Sequence, residues 1–582
     1  VQLPSAIYPE LTFPRITIVA QGSSLGARQV VFAMTRPIEE AVSIVPGVVR
    51  VQSRSIRGAS EVNITFAERT DMNYALQLVR TRVEQIRGDL PPGLDVEIER
   101  LTPSLFPILS YNLEGGDAAA LFDIARYHIK PVLSRLPGVG RVDVQGTDVR
   151  EVEVIADPAR LAAAGLSFDA LAAAIRDGIA VDAVGRVARD YKQYLVVAAQ
   201  EAHAAEDIAA VVVRGNLRVR DLATVVPGTE DHDRIVAGDG RPAALINVTR
   251  QVGGNTVAAS DTVERTMTAL ARNLPPGVRL KPVYDQAALV REAVAAVRDA
   301  ILIGAVLAII VLLLFLRHVR ITAISAAVIP LTLAITVFVM RLLGQTFNLM
   351  TLGAMAIAIG LVIDDAVVVT ENIVRHLHLT SDRTIAVREA VQELLWPVTS
   401  STLTTVVVFL PLGLLEGVAG QFFSALSLTL TIAVLVSLVL ALTIIPLLAE
   451  RFLTDADAES AAAPRESNRR SLSDRYARAL GGILHHVRAT LAVAAVLVAA
   501  GLGAWRLVGS GFLPDMDEGS FIIDYWTPGG TALAETDRQL HIIEQILAAT
   551  PEISGTSRRT GAELGLFATE QNTGDIVARL VA

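Results

Sequence analysis

Six stretches without a single charged side chain dominate the second half of the chain: 301–316, 321–340, 342–363, 394–415, 417–449 and 489–505. A helix rises about 1.5 Å per residue, so about 20 apolar residues cross the roughly 30 Å of bilayer hydrocarbon. The first and last stretches are short alone, but apolar flanks at 293–297 and 507–508 extend them. Six such runs within 301–505 exceed what the cores of soluble domains accommodate, so this half is expected to be a bundle of six transmembrane helices. Composition agrees. Charged residues are 19% and apolar residues 52% of the 582 positions, against about 25% charged in soluble domains. That apolar content excludes global disorder.

The loops predict an orientation. The segments 317–320, 375–393 and 450–488 carry 12 arginines, whereas the two short loops on the other side carry Arg341 alone. The positive-inside rule puts the arginine-rich side in the cytoplasm. With six spans, residues 1–290 and 511–582 then both lie outside. Two cytoplasmic segments read as interfacial amphipathic helices. One presents Tyr476, Leu480, Ile483, Leu484 and Val487 on one face; the other presents Val387, Val391 and Leu394 after a Ser381 cap. Between them, 455–468 reads as a flexible linker.

The outer half repeats a strand–helix–strand rhythm. Strands are expected at 15–20, 48–53, 61–66 and 94–98, with helices at 25–45 and 71–90, a β-α-β-β-α-β order. The pattern returns with strands at 108–113, 139–144, 243–249 and 278–283 and helices at 117–136 and 255–274. The stops Leu90-Pro91-Pro92-Gly93 and Leu274-Pro275-Pro276-Gly277 are near copies, and such repetition is a strong organisational signal. The segment 151–235 interrupts the second unit and reads as an inserted α+β lobe. A third unit begins with a strand at 521–525 and a helix at 531–549. The fold class is therefore an α-helical transmembrane bundle plus α+β ferredoxin-like outer units. That scaffold alone carries no function.

The chemistry concentrates at Asp364 and Asp365. They interrupt an apolar run, with about ten apolar residues before them and four after. A central intramembrane aspartate costs about 2.5–3.5 kcal/mol on insertion scales. Two neighbours about 100° apart cannot share one face, so the pair is expected to look into a polar bundle interior. Desolvation and mutual repulsion poise such carboxyls to take a proton from one side and lose it to the other. Glu371 and Asn372 follow seven residues after each aspartate, on the same faces, and form a candidate polar exit track. Aspartyl proteolysis needs two aspartates from different helices, and no other membrane aspartate exists here. The pair also diverges too far to chelate a metal, and no histidine lies within that stretch. Small residues Gly353, Ala354, Ala356, Ala358 and Gly360 are expected to let the same helix pack closely. The chain has no cysteine, which excludes disulfides, thiolate metal sites and thiol nucleophiles. The net charge of −9 argues against a nucleic-acid partner. No cofactor, metal centre or enzymatic constellation is expected.

The stretch from Gly360 to Asn372, reading Gly-Leu-Val-Ile-Asp-Asp-Ala-Val-Val-Val-Thr-Glu-Asn, resembles the resistance–nodulation–division (RND) efflux permeases. So do Val408-Phe-Leu-Pro-Leu412, Leu438-Val-Leu-Ala-Leu-Thr-Ile-Ile-Pro446 and Phe512-Leu-Pro-Asp-Met-Asp-Glu-Gly519. The resemblance covers essentially the whole chain. It implies a proton-driven permease in the inner membrane, a homotrimer working with a periplasmic adaptor (a membrane fusion protein) and an outer-membrane channel. Residues 1–103 then form the first porter subdomain, 104–150 and 236–290 the second, and 151–235 the docking insertion. Residues 293–508 form the six-span block, with a cytoplasmic linker at 450–488, and 511–582 begin the third porter subdomain. Asp364 and Asp365 match the family's proton-relay pair, and Phe106 falls near a position of a pocket aromatic in drug exporters. A first span is expected ahead of Val1. Further porter segments and five spans, bearing a lysine partner for the aspartates, are expected after Ala582, where 575–582 reads as a strand cut midway. The double aspartate resembles exporters of hydrophobic compounds and drugs. The stretch 551–563 resembles the metal-exporting branch, and the seven methionines form no outer cluster suited to Cu(I) or Ag(I). A non-transporting relative with a translocation or assembly role is the remaining alternative.

Overall fold

A computed structural model describes residues 3–581 except 23–24, 147, 180, 200–201, 231–232, 317, 381, 454–468, 510–516, 564 and 566. The chain divides into two compact units. One comprises Val1–Phe13 and Ala287–Glu518, the other Pro14–Gln286 and Gly519–Ala582.

The sheet-rich unit begins with β1 (Arg15–Gln21), α1 (Ala27–Val30), α2 (Arg36–Ser43), β2 (Val48–Ile56), β3 (Ala59–Phe66), α3 (Met72–Gln85) and β4 (Asp95–Arg100). A π-helical turn, Val31–Thr35, joins α1 to α2. The strands lie in the order β2-β3-β1-β4, all antiparallel. The alternation in β1 predicts one buried face, yet β1 is buried on both. Ile16, Ile18 and Ala20 enter the main core with Met34, Val62 and Val79. On the other face Val19 packs with Ile56, Ala59 and Ala568. Asp71 caps α3 by accepting from the amides of Asn73 and Tyr74, satisfying donors that a helix start leaves free.

The second set repeats this plan: β5 (Pro107–Glu114), α4 (Ala118–Asp123), α5 (Lys130–Leu133), β6 (Val139–Gln145), then β14 (Arg241–Arg250), α10 (Thr256–Ala271) and β15 (Arg279–Asp285). Its strand order is β15-β5-β14-β6, the same permutation as in the first set. Gly93 and Gly277, which end the two copied stops, have φ of 80° and 92°; a side chain there would be strained. Between β6 and β14 the chain makes a lobe. Paired strands β7 (Arg150–Ala156) and β12 (Ala223–Thr229) frame it. Helices α6 (Pro158–Ala163), α7 (Phe168–Gly178), α8 (Ala205–Ala209) and α9 (Val219–Leu222) and strands β8 (Val181–Arg189), β9 (Lys192–Ala199), β10 (Val212–Arg214) and β11 (Leu217–Arg218) fill it. Strand β13 (Ile235–Gly238) then leads back to β14.

The last set contains β16 (Ser520–Trp526), β17 (Ile553–Thr560) and β18 (Thr573–Leu580), with a helix at Leu533–Ala549. Here β18 lies between β17 and β16, so the stretch read as an interrupted strand is an eight-residue strand paired on both sides. β13 pairs with β17 and thereby joins the second and third sets in one eight-stranded sheet. Buried ion pairs close this region. Arg558 reaches Glu544 at 2.7 Å and Asp537 at 2.6 Å. Arg559 makes two bonds to Asp575, at 2.6 and 2.7 Å. Both arginines are 1% exposed. At the join, Lys281 pairs with Asp239, and Asn112 accepts from the Ser557 hydroxyl at 3.0 Å. Burial, and then the Asp239 carboxylate, push Glu114 above the ordinary glutamate range.

The helical unit contains α11 (Gln286–Leu316), α12 (Val319–Leu342), α13 (Leu349–Leu379), α14 (Arg383–Phe409) and α15 (Gly417–Phe452), followed by α16 (Arg469–His485) and α17 (Val487–Trp505). All but α16 belong to six helices long and apolar enough to cross a membrane. Residues 3–13, read from sequence as part of the first outer unit, pack here instead. Leu3 is buried with Met340, Met355 and Ile432, and the Tyr8 ring meets Phe422 edge-on at 5.8 Å. Two helices differ from expectation. The third apolar stretch extends to Leu379, and the fourth helix starts at Arg383, so Val387, Val391 and Leu394 lie in the spanning helix itself. Asp382 caps α14; the expected cap, Ser381, lies outside the described residues, as do the 455–468 linker and 512–516. Pro330, Pro397 and Pro446 lie inside helices.

Candidate functional site: the carboxylate helix and its neighbours

Helix α13 starts at an Asn348 cap, whose side chain accepts from the amides of Met350 and Thr351. The Asn348 amide in turn donates to the Thr351 hydroxyl at 2.9 Å. This anchors the first turn and sets the phase of the 31 residues that follow. Helix α15 packs along one side. Ala354 and Ala358, both fully buried, meet Leu430 and Ala433. Close approach therefore rests on these alanines. Gly353 and Gly360, expected to share the role, have open space where a Cβ would stand.

Asp364 and Asp365 lie at the middle of α13, so the apolar run does continue past them. The structure separates them. Asp365 is partly buried, with the Thr402 hydroxyl of α14 beside its carboxyl. Asp364 is exposed among the described residues. Among the described residues, neither forms an ion pair. Desolvating a carboxylate without a counter-ion favours its neutral form, and removing charge is the usual resolution when burial is costly.

The residues around the pair are buried and apolar or hydroxylated. Val362, Ala366 and Val369 join a core with Ile324, Val328, Val398 and Ala441. The Ser325 hydroxyl of α12 donates to the Thr370 hydroxyl at 3.0 Å, and Thr370 donates to the Ala366 carbonyl at 2.6 Å. Ser437 of α15 donates to the Val362 carbonyl at 3.4 Å. Hydroxyls of Thr322, Thr332 and Thr336 are buried without a hydrogen-bond partner. Such groups in an apolar bundle are the ones that receive water when a path opens.

Glu371 and Asn372 part in the same way as the aspartates. Glu371 is exposed, on the face of Asp364. Asn372 is 9% exposed and donates to the Ala390 carbonyl of α14 at 3.0 Å and to Glu393 at 3.4 Å. Among the described residues, Asn372 is thus the member of the two that meets α14. Sequence reading missed what surrounds it. Arg375 reaches Glu393 at 2.6 Å, and His376 Nε2 lies 2.8 Å from the same carboxylate. His376 Nδ1 is buried without a hydrogen bond and lies 3.7 Å from Glu389. The signal was available as spacing. Asn372 and His376 are four apart on α13, and Glu389 and Glu393 four apart on α14, so each pair shares a helix face.

In the sheet-rich unit, Phe106 follows the turn Pro103–Leu105 and precedes β5. It is 43% exposed, so it is not a core residue. No group of three or more His, Cys, Asp or Glu suited to a metal occurs among the described residues.

The model of the AcrB/AcrD/AcrF family matches residues 1–581. Among similar proteins, a multidrug resistance protein MdtC from Pectobacterium carotovorum subsp. carotovorum is 28% identical over 569 residues, covering 96% of this chain and 56% of its own length. A cation efflux system protein CzcA from Alcaligenes sp. is 30% identical over 588 residues, with 96% and 55% covered. A cobalt-zinc-cadmium resistance protein CzcA from Cupriavidus metallidurans is likewise 30% identical over 588 residues, with the same coverage. The chain thus spans about half the length of the curated relatives it matches.

Proposed function

The chain belongs to the AcrB/AcrD/AcrF family of RND permeases, and from that premise we propose that it is part of a proton-driven exporter of hydrophobic organic compounds. Members of that family are transporters, not enzymes. The observation that carries the reading is the Asp364–Asp365 pair at the middle of a spanning helix with no ion-pair partner among the described residues. Protonation removes the cost of the buried charge, and deprotonation restores it. A transmembrane potential supplies about 2.3 kcal/mol per charge per 100 mV, enough to drive small helix shifts between two packings. Asp365, facing Thr402 across the α13–α14 contact, is the member placed to turn protonation into such a shift.

The remaining assignments follow the same reading. Each outer set is a ferredoxin-like porter subdomain, supported by the shared strand permutation. The boundaries expected from sequence are 1–103, 104–150 with 236–290, and 511–582, with 151–235 as the docking insertion; the compact sheet-rich unit itself runs from Pro14 to Gln286 and resumes at Gly519. The protein lies in the inner membrane with residues 1–290 and 511–582 periplasmic. It assembles as a homotrimer with a periplasmic adaptor and an outer-membrane channel. Phe106, exposed on a turn, is a candidate contact for apolar substrate. A second reading, export of heavy-metal cations by the same mechanism, is favoured by the CzcA relatives.

The test is Asp365→Asn in the full-length gene product, reconstituted in vesicles with an imposed pH gradient. Gradient-driven export is expected to fall to the level of empty vesicles. Undiminished export by the variant overturns the reading. A panel of hydrophobic dyes, against Zn(II) and Cu(I) loading, decides between the substrate classes.

A further inference from the structure

Helices α13 and α14 run antiparallel and meet at two polar levels. At the first, Asp365 faces Thr402. At the second, seven residues further along α13, Asn372 and His376 meet Glu393. Seven residues of helix are about 10 Å. Val369 and Val398, buried in one apolar cluster, fill the interval. The second level is at the C-terminal end of α13, the end that the arginine distribution assigns to the cytoplasm.

His376 has the features of a proton acceptor rather than of a structural clamp. Its Nε2 lies 2.8 Å from Glu393, so in a neutral ring that nitrogen carries the hydrogen and donates it. Nδ1 is then the basic nitrogen, and it is the one left buried and unbonded. It faces Glu389 at 3.7 Å, ready to hold a second hydrogen as a charge-assisted bond. Arg375 shares the Glu393 carboxylate, which stands as the ring's fixed partner. The other charged groups at this end are Glu450 of α15, which accepts from Thr384 at 3.0 Å, its neighbour Arg451, and Arg320 in the first turn of α12.

We propose that His376 is the inner proton acceptor of the transport cycle, positioned by Glu393 and charged against Glu389. This assignment rests on the proton-coupled reading above. When Val369 and Val398 part, water spans the interval. The Asp365 carboxylic acid gives up its proton and becomes a carboxylate. The proton arrives at Nδ1, and the ring becomes an imidazolium held between two carboxylates. Loss of that proton to water on the inner side returns the neutral ring and leaves Asp365 ready to be reprotonated from outside.

The experiment uses the full-length gene product in vesicles, with outer pH fixed and the pH on the α13 C-terminal side varied from about 5.5 to 8.5, across the histidine range. The wild-type export rate is expected to show an inflection in this range. His376→Gln is expected to remove the inflection and to lower export by about tenfold or more at the alkaline end. Glu389→Gln keeps the ring and its Glu393 bond, and is expected to move the inflection. A wild-type profile in both variants overturns the assignment. If His376→Gln does not insert into the membrane, the Glu389→Gln profile alone decides it in the same way. Asp365→Asn separates the two readings. Export unchanged in that variant removes the proton-coupled reading itself. Export lost there, with wild-type profiles in the two inner variants, removes only the role of His376.

Discussion

The two units treat buried charge in opposite ways. In the sheet-rich unit, Arg558 and Arg559 are almost completely buried, and each is neutralised within the chain by acids 2.6–2.7 Å away. In the helical unit, Asp365 has the Thr402 hydroxyl and Asp364 beside it, and neither aspartate has an ion pair among the described residues. The first arrangement is static: every charge has a fixed partner, and removing one strands another. The second leaves protonation as the means of neutralisation, which is the property a proton-coupled machine needs. A buried charge is thus a fastening in one unit and, on the proposed reading, a moving part in the other.

Four substitutions sharpen or break this contrast. Asp575→Asn leaves Arg559 buried without its counter-charge, and is expected to destabilise the sheet-rich unit by about 3–5 kcal/mol, read as a lower midpoint in denaturant or thermal melts. A loss below 1 kcal/mol would erase the contrast from that side. Ala358→Leu forces a larger side chain against Leu430 and Ala433 and is expected to cost about 1–3 kcal/mol, seen as a lower melting point in detergent. Glu114→Gln has a pH-dependent sign. The carboxyl is raised in the folded state, so the stability it contributes is present at acid pH, below the unfolded glutamate value, and is lost as pH rises through the raised folded value. The variant is therefore expected to gain stability over wild type as pH rises from acid to neutral and to match it at acid pH, read as the difference between their melting midpoints across that range. The smallest effect belongs to Asp364→Asn, which removes no ion pair and is expected to change bundle stability by less than about 0.5 kcal/mol. A cost like that of Asp575→Asn would reveal a fixed partner and end the comparison.

Much of this architecture was legible because its signals are local. Apolar runs, Pro-Gly stops and the strand–helix rhythm each report on a few turns of chain, and they located the six helices and the repeated sets. The carboxylate pair was legible because charge in an apolar run is costly wherever the run folds. Helix ends were less so. Arg375, Arg383 and Glu393 look like loop residues by charge, yet they lie on helices whose ends leave the apolar layer. Helical spacing placed Glu371 with Asp364 and Asn372 with Asp365, and the described residues keep those pairings, but which of the two faces meets a neighbouring helix is decided by the partner helix. Arg558 and Arg559 gave no sign of burial. Their acids lie 14 to 21 residues away, in a neighbouring helix and strand. The union of β13 with β17 depends on residues too distant for any sequence window.

That union governs the order in which the molecule can be made. The Asp239 side chain that receives the Thr556 amide is 317 residues upstream of it, with the six candidate spanning helices described here encoded in between. At ribosomal speeds of about 5–20 residues per second, the edge of β13 waits roughly 15–60 s for its companion. Throughout that interval an unpaired strand edge stands open while helices are being inserted, and such edges invite pairing with foreign chains. Biogenesis of this protein therefore contains a vulnerable window whose length is set by the helical segment between β13 and β17, and which closes when those two strands pair.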